Sequence, residues 1–215
     1  LGQSVVPRSL AVSFPTRYRD AALFVLLAIL FGGAFVAIET GLRALPPVLF
    51  AGLRFDVAAV ALLAYVAFSR PTSAWLPRTR ADLLGVTVAA TFLIALNNGF
   101  LFVGQATTTP AAAAVMYGLT PVLAPVFAWA LLDRRLARVE AGGIAVALGG
   151  VLLIVGPSPA MLADPGAVGQ LFVLVSAGAV ALGSVLLRRV DARMDGVALT
   201  AWAMALGALL LHGTS

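Results

Sequence analysis

Apolar residues in this chain come in long uncharged blocks separated by short charged ones, and the longest block sets the architecture. No charged side chain occurs from Leu83 to Leu132. At about 1.5 Å per residue, one helix over that stretch would cross a bilayer more than twice, so the block must fold back on itself. The break is polar, Gln105-Ala106-Thr107-Thr108-Thr109-Pro110, and Pro110 removes a backbone donor where a second helix would begin. The pattern predicts a membrane hairpin with arms from Leu83 to Gly104 and from Pro110 to Leu132. Asn97 and Asn98 lie inside the first arm, and Pro121 and Pro125 interrupt the second. Amides and helix breakers are costly in lipid unless they face protein or a water-filled cavity, so the hairpin reads as a cavity wall.

The other blocks give five further spans. Residues 1–20, with Arg8, Arg17 and Arg19, read as a short polar tail. Ala21 to Ile38 is the first span, closed by Glu39, Arg43, Pro46 and Pro47. A second span, about Val48 to Phe68, carries Arg54 and Asp56. After the hairpin, Asp133, Arg134, Arg135, Arg138 and Glu140 make a charged loop. Ala141 to Val155 is the fifth span, where Ala141, Ala145 and Gly149 recur every four positions and would let another helix approach. Pro157, Pro159, Asp164 and Pro165 form the next turn. Val168 to Leu187 and Val197 to Leu211 are the sixth and seventh spans. The chain begins Leu1-Gly2-Gln3 without an initiator methionine and stops at Thr214-Ser215, which reads as a fragment of a longer protein.

Composition agrees with a polytopic all-α membrane bundle. Hydrophobic residues are 61% and charged residues 11% of the 215 positions, against about 25% charged in an ordinary soluble domain. All fourteen basic residues are arginines and most sit between spans, a topology signal rather than a nucleic-acid surface. Counted through successive connections, arginines number three, one, three, none, three, none, three, none. Because basic loops stay cytoplasmic, this alternation predicts a cytoplasmic N-terminus and seven spans. With no lysine, a retinal-type Schiff base has no anchor. With no cysteine and one histidine, His212, neither thiolate metal sites nor histidine zinc motifs can form from this chain alone. Without a Gly-x-Ser-x-Gly elbow either, the expectation is a non-enzyme with no cofactor and no bound metal.

Weak internal repetition points further. Phe24-Val25-Leu26 opens the first span as Phe172-Val173-Leu174 opens the sixth, and Gly32-Gly33 has its counterpart in Gly183-Ser184. Five spans separate the copies, an odd number, so the second copy starts from the opposite side. Inverted repeats of this kind belong to secondary transporters, which bind substrate near the midplane.

Several segments resemble the EamA-type members of the drug/metabolite transporter superfamily. Phe31-Gly32-Gly33-Ala34-Phe35 is similar to that family's Trp-Gly-Ser-x-Phe first helix, and Pro46-Pro47 through Arg54-Phe55 to its second. Leu119-Thr120-Pro121-Val122 with Leu131 to Leu136 resembles its hairpin end, Gly142 through Leu153 its glycine-rich fifth helix, and Leu199-Thr200-Ala201-Trp202 the start of its seventh. Departures are Phe31 for the usual tryptophan, Arg134 for glutamate and Asp56 for an apolar residue. The resemblance implies inverted five-helix repeats, with residues 21–156 the first, 168–215 the start of a second, and seven of ten helices present. It also implies transport, with export the expected direction, of small metabolites or drugs at the cell membrane.

The candidate cavity residues are Phe35, Arg54, Asp56, Asn97, Asn98, Tyr117, Thr120 and Pro121. Arg54 reads either as an anchor paired with Glu39 or as an anion contact. Asp56 is too short to reach the surface, and so either hydrogen-bonds a neighbouring helix or faces a polar cavity and binds a coupling proton. Asn97 and Asn98 point to adjacent faces, with interhelical hydrogen bonding the alternative to cavity lining. Tyr117, Thr120 and Pro121 share a face beside a carbonyl that Pro121 leaves free. Trp202 reads as packing and His212 as a helix-end residue at the interface. The expected partners are the lipid bilayer, a small-molecule substrate and a coupling proton or counter-substrate, without nucleic acid. A non-transporting membrane sensor or assembly subunit using the same scaffold is the alternative.

Overall fold

The computed structural model describes residues 16–132, 134–155 and 163–215; most of the predicted tail, Asp133 of the charged loop, and Pro157 and Pro159 lie outside them. Helices joined by short turns, without strands, make up the described residues: α1 (Thr16–Leu42), α2 (Pro47–Ser69), α3 (Thr72–Trp75), α4 (Arg80–Val88), a π-helical segment (Ala89–Leu96), α5 (Asn97–Gln105), α6 (Pro110–Tyr117), α7 (Thr120–Leu131), α8 (Arg138–Val155), α9 (Pro165–Leu187) and α10 (Gly196–His212). The chain divides into two compact units, one ending at Ala34 and the other running from Phe35 to Ser215. In the first unit the described part is helix, uncharged after the Arg19–Asp20 pair (3.7 Å).

Local chemistry sets the element ends. Proline opens α2, α6 and α9 at the first or second position, where its missing N–H would have had no helical partner anyway. Side-chain caps add to this: Thr109 accepts from Ala112 N, Asp164 from Gly166 N and Ala167 N, and Asp195 from Val197 N and Ala198 N. The predicted hairpin is present. Its arms are Arg80–Gln105 and Pro110–Leu131, and both are long and apolar enough to cross a membrane.

Five helical runs meet that criterion among the described residues, the others being Tyr18–Leu42, Pro47–Ser69 and Pro165–Leu187. This is a smaller number than the seven expected. Gly196–His212 is apolar but has 17 residues, about 26 Å of helix against a hydrocarbon core of about 30 Å. The eighteen-residue α8 is the remaining expected span.

Two late helices hold the bundle together: α10 packs on α2, the π segment and α4, and α9 packs on α5, the π segment, α6 and α7. Small residues make these crossings close. A Cβ on Gly104 would sit 2.5 Å from the Gly169 carbonyl oxygen, and one on Gly207 would sit 2.4 Å from Ile94. The stripe predicted to do this on the fifth span does not: a Cβ on Gly149 would meet nothing within 4 Å, and Ala141 and Ala145 are exposed.

One face of the molecule is tied together by its polar groups. Asp82, buried, takes the backbone N–H groups of Arg78 and Thr79 on its own side of the α3–α4 turn. Its other oxygen takes those of Arg193 (2.9 Å) and Met194 (3.2 Å) from the turn before α10. Arg70 pairs with Asp195 (3.8 Å), Asp195 N–H donates to Ala74 O, and Trp202 Nε1 donates to Trp75 O (2.9 Å) with the two indoles stacked. Two of the arginine-bearing connections, 70–80 and 188–195, therefore lie on one side, as the alternating counts require. Trp202 is a packing residue.

Candidate functional site

The first arm of the hairpin does not run as one α-helix. Between Ala89 and Leu96 it widens into a π-helix, which shifts the hydrogen-bond register. The two asparagines that follow donate back to carbonyls of this segment. Asn97 Nδ2 donates to Leu93 O (3.1 Å), and Asn98 Nδ2 to Leu93 O (3.3 Å) and Ile94 O (3.0 Å). Both are buried. Asn97 also reaches across the bundle, where its Oδ1 accepts from the Ser176 hydroxyl of α9 at 3.0 Å. Hydrogen-bonded asparagine is the arrangement a bilayer-spanning segment demands, because no water is at hand to solvate an idle amide.

The second arm is broken as well, at Gly118-Leu119, between α6 and α7. Pro121 causes the break. In a continuous helix its nitrogen would donate to Tyr117 O, and proline has no hydrogen to give. Thr120 Oγ1 donates to that same carbonyl at 2.7 Å, so the freed acceptor is met by the neighbouring hydroxyl. Pro125 lies inside α7.

Six of the eight predicted residues come together here. The Phe35 ring meets Tyr117 edge-on with centroids 5.9 Å apart, Tyr117 lies close enough to Asn97 to interact with it electrostatically, and Thr120 caps Tyr117. Pro121 belongs through its effect on the backbone, and Asn98 through the π-helical end. Two residues missed by the sequence reading complete the cluster. Ser176 binds Asn97, and Gln105, 2% exposed, donates from Nε2 to the Phe35 carbonyl while its Oε1 has no partner among the described residues. A polar residue at the predicted turn is thus a buried cross-link. The glutamine pattern could have been read that way, since amides at membrane depth seek partners; nothing in the sequence singles out Ser176 among the small residues of α9.

Arg54 and Asp56 stand apart from this cluster. Arg54 lies over the Phe102 ring, 5.3 Å from its centroid, while Glu39 pairs with Arg43 (3.4 Å); no Glu39–Arg54 pair forms among the described residues. Asp56 binds His212, Oδ2 to Nε2, at 2.7 Å. His212 is therefore not merely a helix-end residue.

Two hollows accompany these groups. One, of about 430 Å³, is walled almost wholly by apolar residues, among them Ala95, Phe100, Val103, Phe172 and Leu211, and none of the eight predicted residues lines it. The other is an open depression along α2 alone, bordered by Asp56, Val57, Val60 and Ala61.

A helical bundle with apolar spans, broken helices and internally bonded amides at membrane depth defines a polytopic membrane protein with a polar interior cluster. Residues 20–156 match the family model described as the EamA-like transporter family, and the chain belongs to that family. It is 28% identical over 181 residues to an uncharacterized transporter of Archaeoglobus fulgidus, covering 84% of this chain and 62% of the relative. It is 31% identical over 134 residues to the uncharacterized inner membrane transporter YedA of Escherichia coli K12, covering 62% and 42%. With the uncharacterized transporter YoaV of Bacillus subtilis it shares 24% over 186 residues, covering 86% and 62%. The chain thus spans about two fifths to three fifths of the length of these curated relatives. No solved structure matches it.

Proposed function

We propose that the chain is part of a secondary transporter that exports small metabolites or drugs across the cell membrane by alternating access. In this reading residues 21–156 form a first repeat, residues 168–215 begin an inverted second one, and the N-terminus is cytoplasmic. The observation that carries it is the cluster of Phe35, Asn97, Gln105, Tyr117, Thr120 and Ser176, where polar groups gather beside a π-helix and a proline break inside an EamA-family bundle. Irregular helices at membrane depth are tolerated where they line a path, and π-helical turns concentrate at functional sites. Substrate and helices exchange hydrogen bonds in turn: opening one side breaks Ser176–Asn97 and frees an amide oxygen and a hydroxyl for a polar solute. The antiparallel pairing of α2 with α10, in which mid-α2 Asp56 meets His212 at the end of α10 and Arg70 beyond α2 meets Asp195 before α10, supports a second repeat that begins in inverted orientation.

A second reading, a non-transporting membrane scaffold, is favoured by one observation: Asn97, Asn98 and Thr120 all find partners within the protein. The test is a comparison of extracellular metabolites from cells with and without the full-length gene, alongside Asn97→Leu, Asn98→Leu, Asp56→Asn and Thr120→Val. Export that needs the gene and falls in the Asn97 and Thr120 variants at equal expression supports transport through this cluster. Equal export in all of them assigns the cluster to scaffolding.

A further inference from the structure

Asp56 and His212 are 156 residues apart in sequence, and the α2–α10 contact brings His212 Nε2 to 2.7 Å from Asp56 Oδ2. The site around them is built for the ring. Gly52, buried and one turn before Asp56, faces the imidazole so closely that a Cβ there would sit 2.8 Å from His212 Cε1 and 3.1 Å from each ring nitrogen. The imidazole fills the space that glycine leaves. Asp56 lies about 14 Å along α2 from Pro47 on helical rise, well inside the span. Its carboxylate side chain, 45% exposed, lies on the open face of α2 beside Val57, Val60 and Ala61. A carboxylate on an apolar face at that depth requires a proton, a counter-charge or water.

We propose that Asp56 and His212 form a reversible proton-binding site whose occupancy controls water access to the Asp56 face of α2. With Nε2–H donating to the carboxylate, a proton taken up at Nδ1 turns the pair into imidazolium and carboxylate, and the site's net charge goes from −1 to 0. The neutral state tolerates the apolar surroundings. The anionic state draws in water, and the contact loosens. The surrounding charges leave this step to the pair itself. Elsewhere on α2 the ionisable groups are Arg54, which lies over Phe102 two positions away and diverges from Asp56, and Tyr65. No other residue of α10 is ionisable, and none in α3, the π segment or α5. Arg70, Asp195, Arg80 and Asp82 cluster at the far end of the α2–α10 pair, Arg70 about 21 Å along α2, with Arg70 bound to Asp195 and Asp82 bound to loop amides. Use of this proton as a coupling ion rests on the transporter reading above; the binding site itself does not.

Two substrate-free experiments test the site. In nanodiscs of phosphatidylcholine and phosphatidylglycerol, full-length protein purified without a histidine tag and labelled with ¹⁵N-histidine gives imidazole nitrogen signals, of which those of His212 are the pair lost in His212→Gln. With any other cysteine replaced, a nitroxide on Val60→Cys reports collision with a water-soluble nickel complex beside Asp56. As the pH is raised, the expected results are a protonation change at His212 and, with it, a several-fold rise in nitroxide accessibility. Asp56→Asn should move the Nε2 signal, Gly52→Ala should displace the ring and do the same, and Asp56→Asn and His212→Gln should each abolish the accessibility change. A pH-insensitive His212, an Nε2 signal unaltered by both Asp56→Asn and Gly52→Ala, or an accessibility change that survives in both dyad variants overturns the proposal. Should Asp56→Asn fail to fold, Gly52→Ala and the wild-type titration decide it. Because no transport is measured, a negative result here leaves the export reading standing, and an export failure leaves the proton site standing.

Discussion

Removing the Ser176 hydroxyl should expose how much the bundle depends on its one buried link between asparagine and α9. Ser176 is fully buried and Asn97 is 6% exposed, and the 3.0 Å bond between them is side chain to side chain. Ser176→Ala leaves almost no cavity, so its effect is the lost bond plus an Asn97 Oδ1 left without a partner, about 1–2 kcal/mol. Asn97→Leu removes the same bond and the donation to Leu93 O, but Asn98 Nδ2 still reaches that carbonyl at 3.3 Å, which limits its cost to a similar about 1–2 kcal/mol. In the double variant the orphaned acceptor disappears, so the costs should fall short of additivity by about 0.6–1.7 kcal/mol, the range of interhelical hydrogen bonds in membranes. At roughly 2–4 °C per kcal/mol for a chain of this size, each single variant melts about 2–8 °C below wild type. Thermal unfolding in a mild detergent, followed by tryptophan fluorescence, measures all four corners of the cycle. Additivity within about 0.3 kcal/mol would mean that the bond contributes nothing and that Asn97 and Ser176 are held by packing alone.

Other expectations follow from the same contacts. Gly104→Val places a side chain against the Gly169 carbonyl oxygen, 2.5 Å from where its Cβ would stand; a backbone oxygen cannot rotate away, so α5 and α9 part at a cost of about 1–3 kcal/mol, read as a lower melting temperature that Gly104→Ala shares in part. Asp82→Ala leaves the Arg193 and Met194 amides unpaired and should increase both protease cutting in residues 188–195 and the change in fluorescence from the Trp75–Trp202 stack. Thr120→Val uncaps the Tyr117 carbonyl and should lower stability by about 1 kcal/mol, whereas Thr120→Ser, which keeps the hydroxyl, should not.

The helical class, the hairpin and the shared side of two arginine-bearing loops were legible because they rest on one strong signal, the exclusion of charge from lipid. Span length was less so, since the seventh block is apolar to Leu211 yet makes a helix of 17 residues. The π-helix left no trace in hydropathy: Ala89 to Leu96 is as apolar as its neighbours, and only the paired asparagines at its end hint that carbonyls there need donors. Of the site, the pairing of Phe35, Tyr117 and Asn97 could be anticipated from polarity inside a span. The partners could not, because Ser176 and His212 arrive from helices 79 and 156 residues away, and such contacts depend on which small residues let helices approach. Gly52, Gly104, Gly169 and Gly207 do so; the regular Ala141–Ala145–Gly149 stripe, the more visible pattern, does not.

Whether the polar cluster is a path or a scaffold can be read from a single thiol. These 215 residues hold no cysteine, so Ser176→Cys, introduced into the full-length protein with any cysteine outside them replaced by serine, can be challenged in sealed vesicles with a membrane-impermeant thiol reagent, from the outside and, in inverted vesicles, from the inside. Alternating access predicts modification from both sides, each suppressed when the opposite conformation is trapped. A cysteine at position 176 that reacts from neither side in the native membrane, yet reacts fully after unfolding, would contradict the transport account.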